Sequence, residues 1–278
     1  MDLKQQLAGL DDQDLRSLTK ERRTTLINEM LKSLGSTDSY LRDGLIYPTM
    51  ARIIAGNMLD ADELNCIMDT CLDQRHLFFK LGEVGDSVFM RAFSSLVVAE
   101  LLRVDAQKSF LAPQALVGVE EAILRYMAAE EDIRGYVKGK GWAHAIAHGA
   151  DMLTALVKNP AFSTYKFPSA LATIENCLFK EAAYADDEDV RLLFAVKAML
   201  ERGLSYDDLE EWVFAMCNRL AQMRETDGAS HAYYRCRKNL VGFMKNLYFM
   251  MKMDGGKTGL RVALVRKAEE LHKQQYRL

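Results

Sequence analysis

Residues 132–151 read DIRGYVKGKGWAHAIAHGAD, and two different patterns meet within this stretch. Its first half, through Gly141, is rich in glycine and lysine and has no apolar period, which is typical of a turn. From Trp142 onward the apolar side chains recur at steps of three and four residues, which predicts a helix. They are Trp142, Ile146, Ala150, Leu153 and Val157. The opposite side carries small residues, so we expect an inner helix covered by protein on both sides.

The helical period continues along the rest of the chain, while no window alternates with a period of two. About ten capped segments are joined by short turns. The chain has four prolines and fifteen methionines, and this balance favours helices over strands. Helix pairs recur about every 40 to 45 residues, the spacing of HEAT- or armadillo-like hairpins. We therefore predict an all-α fold without a sheet, an α-α superhelix of stacked hairpins with one concave side.

Composition indicates an ordinary globular protein of 278 residues, of which 49% are hydrophobic and 27% are charged. We predict a single domain over residues 1–278, with residues 1–17 as a more loosely attached segment. The five cysteines form no CxxC pair, a usage typical of a reducing cytosol. There is neither a secretory signal nor an apolar run of about 18 residues. We expect a cytoplasmic protein without a membrane span.

Charge is unevenly distributed, although the formal net charge is only −3. Residues 233–278 hold eleven Lys or Arg against three acidic residues, a local charge of +8 that leaves −11 for the rest. This basic C-terminal third offers nucleic-acid binding as one alternative function. The alternative is disfavoured, because the whole chain is acidic and contains no recognised nucleic-acid module.

His144, His148 and Asp151 form an HxxxHxxD pattern that a continuous helix would place on one face. Two imidazoles one turn apart can ligate zinc, and a carboxylate one turn further could be a third ligand. A metal-dependent hydrolase is therefore one alternative. The zincin pattern is absent, because no Glu follows the first His. The other interpretation is a polar seam in which the imidazoles bond to neighbouring helices.

Ser87, Arg91 and Ser94 have the same spacing on another helix, which otherwise carries mostly apolar residues. A buried arginine needs a carboxylate or carbonyl partners, for which Asp132 and Asp151 are candidates, or else an anionic ligand. Our hypothesis is that the two polar stripes meet in one cluster on the concave face. The candidate ligand-binding residues are Ser87, Arg91, Ser94, Asp132, Arg134, Trp142, His144, His148 and Asp151.

Four stretches resemble an uncharacterised bacterial family that is classified as a domain of unknown function. They are LRDGLIY from Leu41, GDSVFMRAFSSL from Gly85, RGYVKGKGWAHAIAHGAD from Arg134 and KNLVGFMKNLYF from Lys238. The third, with the pattern RGYVxGKGWAHAxAHGAD, is the most specific. The resemblance covers nearly the whole chain and implies a soluble all-helical protein. It implies no activity and no catalytic residue.

These observations favour a non-catalytic helical-repeat binding module that takes a protein, a peptide or a small anionic ligand. Helical solenoids mostly bind, and no complete catalytic set is visible in the sequence. No cofactor is expected, and there is no GxSxG nucleophile motif. Within this fold we expect Trp142 to anchor the core, so that Trp142→Ala would cost about 3–5 kcal/mol.

Overall fold

A computed structural model describes residues 2–256 and 258–276, and about 73% of the chain is helical. The chain divides into two compact units, Met1–Phe162 (unit 1) and Ser163–Leu278 (unit 2). The single domain remains a prediction. Met1, Lys257, Arg277 and Leu278, which that prediction includes, lie outside the described residues.

Unit 1 contains eight α-helices, a π-helical turn and one β-hairpin in its described part. In chain order they are α1 (Leu3–Leu7), α2 (Asp12–Ser17), α3 (Lys20–Ser33), the π-helix Tyr40–Ile46, α4 (Tyr47–Ala55), α5 (Ala61–Cys71), α6 (Ser87–Lys108), α7 (Pro113–Ala129), β1 (Tyr136–Val137), β2 (Gly141–Trp142) and α8 (Ala145–Lys158). The caps follow the sequence. Asp60 and Glu63 form a reciprocal capping box at α5, and a proline lies in the first turn of both α4 and α7.

The centre of unit 1 is the pair of helices α6 and α8, which pack side by side. Helix α6 is buried on nearly every side, and in α8 only Thr154 and Lys158 are not buried. Helices α4 and α5 pack on α6, and α7 packs on α8. The prediction that the helix after Trp142 is an inner helix is therefore confirmed for α8.

The hairpin β1–β2 corrects the expectation that the fold has no sheet. The strands are antiparallel, with Tyr136 opposite Trp142 and Val137 opposite Gly141. Gly139 and Gly141 have φ values of 78° and 82°, a left-handed conformation that glycine adopts at little cost. Each strand has only two residues, which is too short to display a period of two along the sequence.

Unit 2 contains a short 3₁₀ turn, Thr164–Lys166, and five α-helices among its described residues. They are α9 (Phe167–Leu178), α10 (Glu188–Glu201), α11 (Tyr206–Asp227), α12 (His231–Met253) and α13 (Thr258–Tyr276). Ser205 and Ser230 cap α11 and α12 by accepting backbone N–H bonds, as serines at helix starts commonly do. Helix α12 is central, because α10, α11 and α13 all pack on it.

The all-α class is thus confirmed, with the small hairpin as its one exception in the described part of the chain. In the same residues, no helix combines the length and the apolar character that crossing a bilayer requires.

Candidate functional site

The helix containing His148 begins later than the sequence indicates. Its first residue is Ala145, and His144 precedes it with a left-handed φ of 50°. Trp142 lies in β2, outside the helix, and 41% of its surface is exposed. The expectation that Trp142 anchors the core is therefore wrong. The apolar spacing in the sequence continues about one turn beyond the helix, because turn residues with apolar side chains fall at the helical interval by coincidence.

Arg91 is fully buried, and its carboxylate partner is Glu130. Nε donates to Glu130 Oε2 at 2.6 Å, and Nη2 donates to Oε1 at 2.7 Å, a bidentate pair. The remaining donors bond to Ser87 Oγ and to the carbonyls of Phe79, Lys80 and Glu83. Burial alone would lower the pKa of Arg91, but the Glu130 carboxylate raises it overall. Arg91 therefore belongs to a closed structural cluster, and the hypothesis of an Asp132 or Asp151 partner is wrong.

Asp132 and Arg134 form a second ion pair, at the point where the chain enters the hairpin. Asp132 is buried and accepts Arg134 Nη2 at 2.5 Å, Arg134 Nε at 2.8 Å and the Gly85 amide at 3.0 Å. Arg134 also donates to the Gly85 carbonyl at 2.9 Å. Both residues thus join the hairpin to the start of α6, where Lys140 in the hairpin turn also pairs with Asp86 at 2.7 Å.

Arg42, in the π-helix, supports the hairpin backbone, a role that no pattern in the sequence indicated. Its Nη2 donates to the carbonyls of Lys140 and Trp142 at 2.8 and 3.3 Å. The guanidinium is buried over the rings of Phe89 and Phe93, at 4.2 and 4.7 Å from their centroids. Burial lowers the pKa of Arg42, an effect that the nearby Asp43 only partly offsets. Short π-helical segments occur frequently at functional sites.

A row of aromatic rings leads from the surface of the hairpin into unit 1. Its outer part is a platform of three rings, the exposed Tyr136 and Trp142 and the partly buried His144. The Trp142 indole stacks on His144 with centroids 4.3 Å apart and planes 23° apart, and Tyr136 meets the indole edge-on at 5.1 Å. Two buried rings, His148 and Phe93, continue the row, with centroid distances of 5.8 Å from His144 to His148 and 5.4 Å from His148 to Phe93.

At the inner end of the row, Tyr47 lies near two carboxylates. The ring centroids of Tyr47 and Phe93 are 6.2 Å apart, and the Tyr47 hydroxyl lies 3.1 Å from Glu100 Oε1. Burial raises the pKa of Tyr47 to about 12, and the negative charges of Glu100 and Asp151 act in the same direction. Asp151, the third residue of the HxxxHxxD pattern, thus lies near a phenol and a second carboxylate.

Comparison with known proteins identifies one family. Residues 77–249 match the family described as "Protein of unknown function (DUF2785)". The chain belongs to this family. No curated protein and no solved structure gives a significant match. The matched DUF2785 segment includes α6, α7, the hairpin, α8 and most of α12, but neither Arg42 nor Tyr47.

Within the DUF2785 segment, the structure separates the predicted residues into two groups and leaves Ser94 outside both. Ser87, Arg91, Asp132 and Arg134 belong to the closed polar network. Ser94 is buried and bonds to the Met90 carbonyl of its own helix at 2.7 Å. The aromatic row contains Trp142, His144 and His148, and Asp151 lies near its inner end. Of the two polar stripes, the first lies on α6 and the second, apart from His144, on the adjacent α8, and the ring contact of Phe93 with His148 links the two helices. The metal hypothesis for His144, His148 and Asp151 remains a prediction.

Proposed function

We propose that this protein is a non-catalytic binding module that takes a segment of a protein or peptide on the Tyr136–Trp142–His144 platform. The observation that carries the proposal is the half-exposed Trp142 indole, held between the edge of Tyr136 and the face of His144. Exposed tryptophan and tyrosine on a rigid support provide a large contact area at a low cost in side-chain entropy. The Arg42 bonds to the hairpin backbone provide that rigidity.

The charges around the platform favour a peptide over a small anion. Arg91 and Arg134 are paired with buried carboxylates, and Lys140 is paired with Asp86. A cation whose charge is already compensated contributes little to anion binding. The exposed ring surface of the platform suits an aromatic or proline side chain of an extended segment, and Lys138 in the hairpin turn is also exposed.

A non-catalytic role agrees with the state of the cysteines. None of the five forms a disulfide, and Cys66 is the exposed one. Burial raises the pKa of Cys177 to about 12 and that of Cys217 to about 11, so neither thiol forms the thiolate that nucleophilic catalysis requires. Cysteines that remain thiols also support the cytoplasmic location, which is part of the proposal.

The proposed architecture is the α-α superhelix of stacked, HEAT-like hairpins. Its support is the helix-on-helix packing within each unit, such as α6 with α8 in unit 1 and α12 with α13 in unit 2. In such folds, ligands bind along one continuous surface, and a rigid aromatic platform would anchor an extended chain there.

A displayed-peptide selection on the immobilised protein tests the proposed function. We expect the enriched peptides to share an aromatic residue or a proline, and to bind Trp142→Ala at least about tenfold more weakly. Tyr165→Ala is the matched control, because Tyr165 is a 94% exposed aromatic residue outside the platform. Enriched peptides that bind Trp142→Ala as well as the wild type would contradict the proposal.

The same variant tests the position of Trp142 in the fold. Because the indole is half exposed, Trp142→Ala is expected to cost about 1–2 kcal/mol rather than the value for a core residue. Urea unfolding measures this free energy. A loss above about 3 kcal/mol would show that the ring is needed for folding, and the weakened peptide binding would then have to be reproduced with Trp142→Phe.

A further inference from the structure

The basic C-terminal third contains an apolar groove between α12 and α13, entirely within unit 2. Its volume is about 370 Å³. Met244 and Leu264 are buried at its floor, while Phe249 and Val265 stand at its side with 56% and 42% of their surfaces exposed. Exposed apolar surface of this kind, with a polar border, marks interaction sites more often than free solvent-facing surface.

The border of this α12–α13 groove is positively charged. Arg237, Lys245 and Lys273 line it, against the single carboxylate of Glu269. Lys245 and Lys273 are exposed, and neither forms an ion pair with another residue in the described part of the chain. Their charges are therefore available to a partner.

We propose that the α12–α13 groove binds an acidic amphipathic helix of a partner protein. The groove extends along α12 from Arg237 to Phe249, twelve residue steps, which correspond to about 18 Å. A helix of about three turns has this length, and its apolar residues at positions i, i+3, i+4 and i+7 would contact the groove floor. Acidic residues on its flanks would then meet the lysines at the border.

The shape and chemistry of the groove disfavour the other partners of a basic surface. A nucleic-acid duplex presents phosphates and polar grooves, and it gains little from burial against Phe249, Val265 and the Leu264 floor. A second copy of the chain would bring the same lysines against each other across a two-fold interface, because such an interface uses one patch on both subunits. An acidic amphipathic helix can bury its apolar side chains against the floor and pair its carboxylates with the lysines of the border at the same time.

Fluorescence anisotropy with a synthetic peptide tests this proposal. The probe is a labelled peptide of roughly 14 residues, with Leu and Phe at the i, i+3, i+4, i+7 positions and Glu on the remaining face. Its charge mirror carries Lys at every Glu position. We expect micromolar binding of the acidic peptide and at least about tenfold weaker binding of its mirror.

Two variants separate the contributions of charge and apolar contact. Lys245→Glu with Lys273→Glu should weaken the acidic peptide about tenfold and strengthen the mirror. Phe249→Ala should weaken the acidic peptide about fivefold, because an exposed aromatic anchor is lost without a core cavity. The control is Lys32→Glu with Lys158→Glu, which makes the same charge change at exposed lysines of unit 1. It should leave affinity within about twofold.

Several results would overturn the proposal. They include no binding of the acidic peptide, equal weakening by the control pair, and binding that does not respond to Phe249→Ala. Tighter, strongly salt-dependent binding of a mixed-sequence DNA duplex, lost in the Lys245→Glu, Lys273→Glu variant, would assign the surface to nucleic acid instead. Self-association in sedimentation that Phe249→Ala abolishes would assign it to a second copy. None of these results depends on Trp142, so they leave the platform proposal unaffected.

Discussion

Arg91 is a buried cation whose contribution to stability depends on one carboxylate. Removing its guanidinium leaves Glu130 buried without a charge partner and removes a donor from three loop carbonyls. We expect Arg91→Ala to lower the free energy of unfolding by about 3–5 kcal/mol, measured by urea unfolding. Arg103→Ala, which removes a half-exposed pair with Glu100, should cost less than about 1 kcal/mol.

A double-mutant cycle separates the pair from its surroundings. Combining Arg91→Met with Glu130→Leu should be less destabilising than the sum of the single changes, with a coupling of roughly 0.5–3 kcal/mol. Additive effects would show that Glu130 is not the partner on which Arg91 depends.

Tyr47 gives the aromatic row a pH dependence at high pH. Its pKa in the folded protein is raised from 10.0 to about 12, first by burial and then by Glu100. A raised pKa contributes stability that is fully present below about pH 10 and is lost as the pH rises through the folded value. The free energy of unfolding of the wild type, relative to that of Tyr47→Phe, should therefore fall as the pH rises from about 10 to about 12. Urea unfolding of both proteins measures it, and a constant difference would contradict the raised pKa.

At the level of residues, the sequence indicates which segment contains the partner of Arg91 but not which side chain that partner is. The candidates for the carboxylate partner of Arg91 were Asp132 and Asp151, whereas the partner in the structure is Glu130, two positions before Asp132. Both Glu130 and Asp132 are buried, and which of them reaches Arg91 depends on how the chain turns after α7 ends at Ala129, a turn that the local sequence does not determine. Arg42 was missed for a related reason, because its partners are backbone carbonyls about a hundred residues away.

At the level of elements, the hairpin is the feature on which the platform depends, and its two left-handed glycines form a matched pair. A Cβ at Gly141 would lie 2.7 Å from Ser39 Cβ and 3.1 Å from Arg42 Nη2, whereas a Cβ at Gly139 meets nothing within 4 Å. Gly139→Ala should therefore cost about 1–2 kcal/mol from backbone strain alone, and Gly141→Ala distinctly more. Thermal and urea unfolding compare them.

Peptide binding provides a second measurement for this pair. Gly141→Ala should also weaken the peptides selected on the Trp142 platform, because it displaces Arg42 from the hairpin backbone. Gly139→Ala should not. Equal effects of the two substitutions on stability would mean that the close approach of the hairpin to the π-helix is not tightly packed.

The helices were predictable because their signals are local. Capping residues and apolar periods predict about ten helical segments, and the described part of the chain contains thirteen α-helices, of which α1 and α2 are the shortest. The π-helix Tyr40–Ile46 and the hairpin had no such signal. In the π-helix the hydrogen bonds span five residues instead of four, a difference that no apolar period reveals. Each strand of the hairpin has only two residues, which is too short for a period.

At the scale of the whole molecule, the single-domain prediction means that the chain should unfold as one cooperative unit. The boundary between the two units falls after Phe162, and the DUF2785 segment begins within unit 1 and ends within unit 2. The family segment therefore includes parts of both units, and the single domain stays a prediction. Chain length adds no support, because two-state unfolding is common only below about 150 residues.

The two tryptophans offer a direct test, since Trp142 lies in unit 1 and Trp212 in unit 2. Trp142→Phe leaves Trp212 as the only fluorescent indole, and Trp212→Phe leaves Trp142. Both changes should be mild. Trp142 is half exposed, and Trp212→Phe keeps the edge-on contact with Phe243 while removing an indole N–H that is buried without an acceptor among the described residues.

Urea unfolding followed by the fluorescence of each variant, together with far-UV circular dichroism, then gives one curve for each unit and one for the whole chain. If the chain is a single domain, the unfolding midpoints should coincide, because a cooperative transition exposes both indoles at once. Circular dichroism of the native protein should at the same time indicate more than about 60% helix. Separate midpoints for Trp142 and Trp212 would show that the two units unfold independently. The platform and the α12–α13 groove would then belong to different domains of one binding protein.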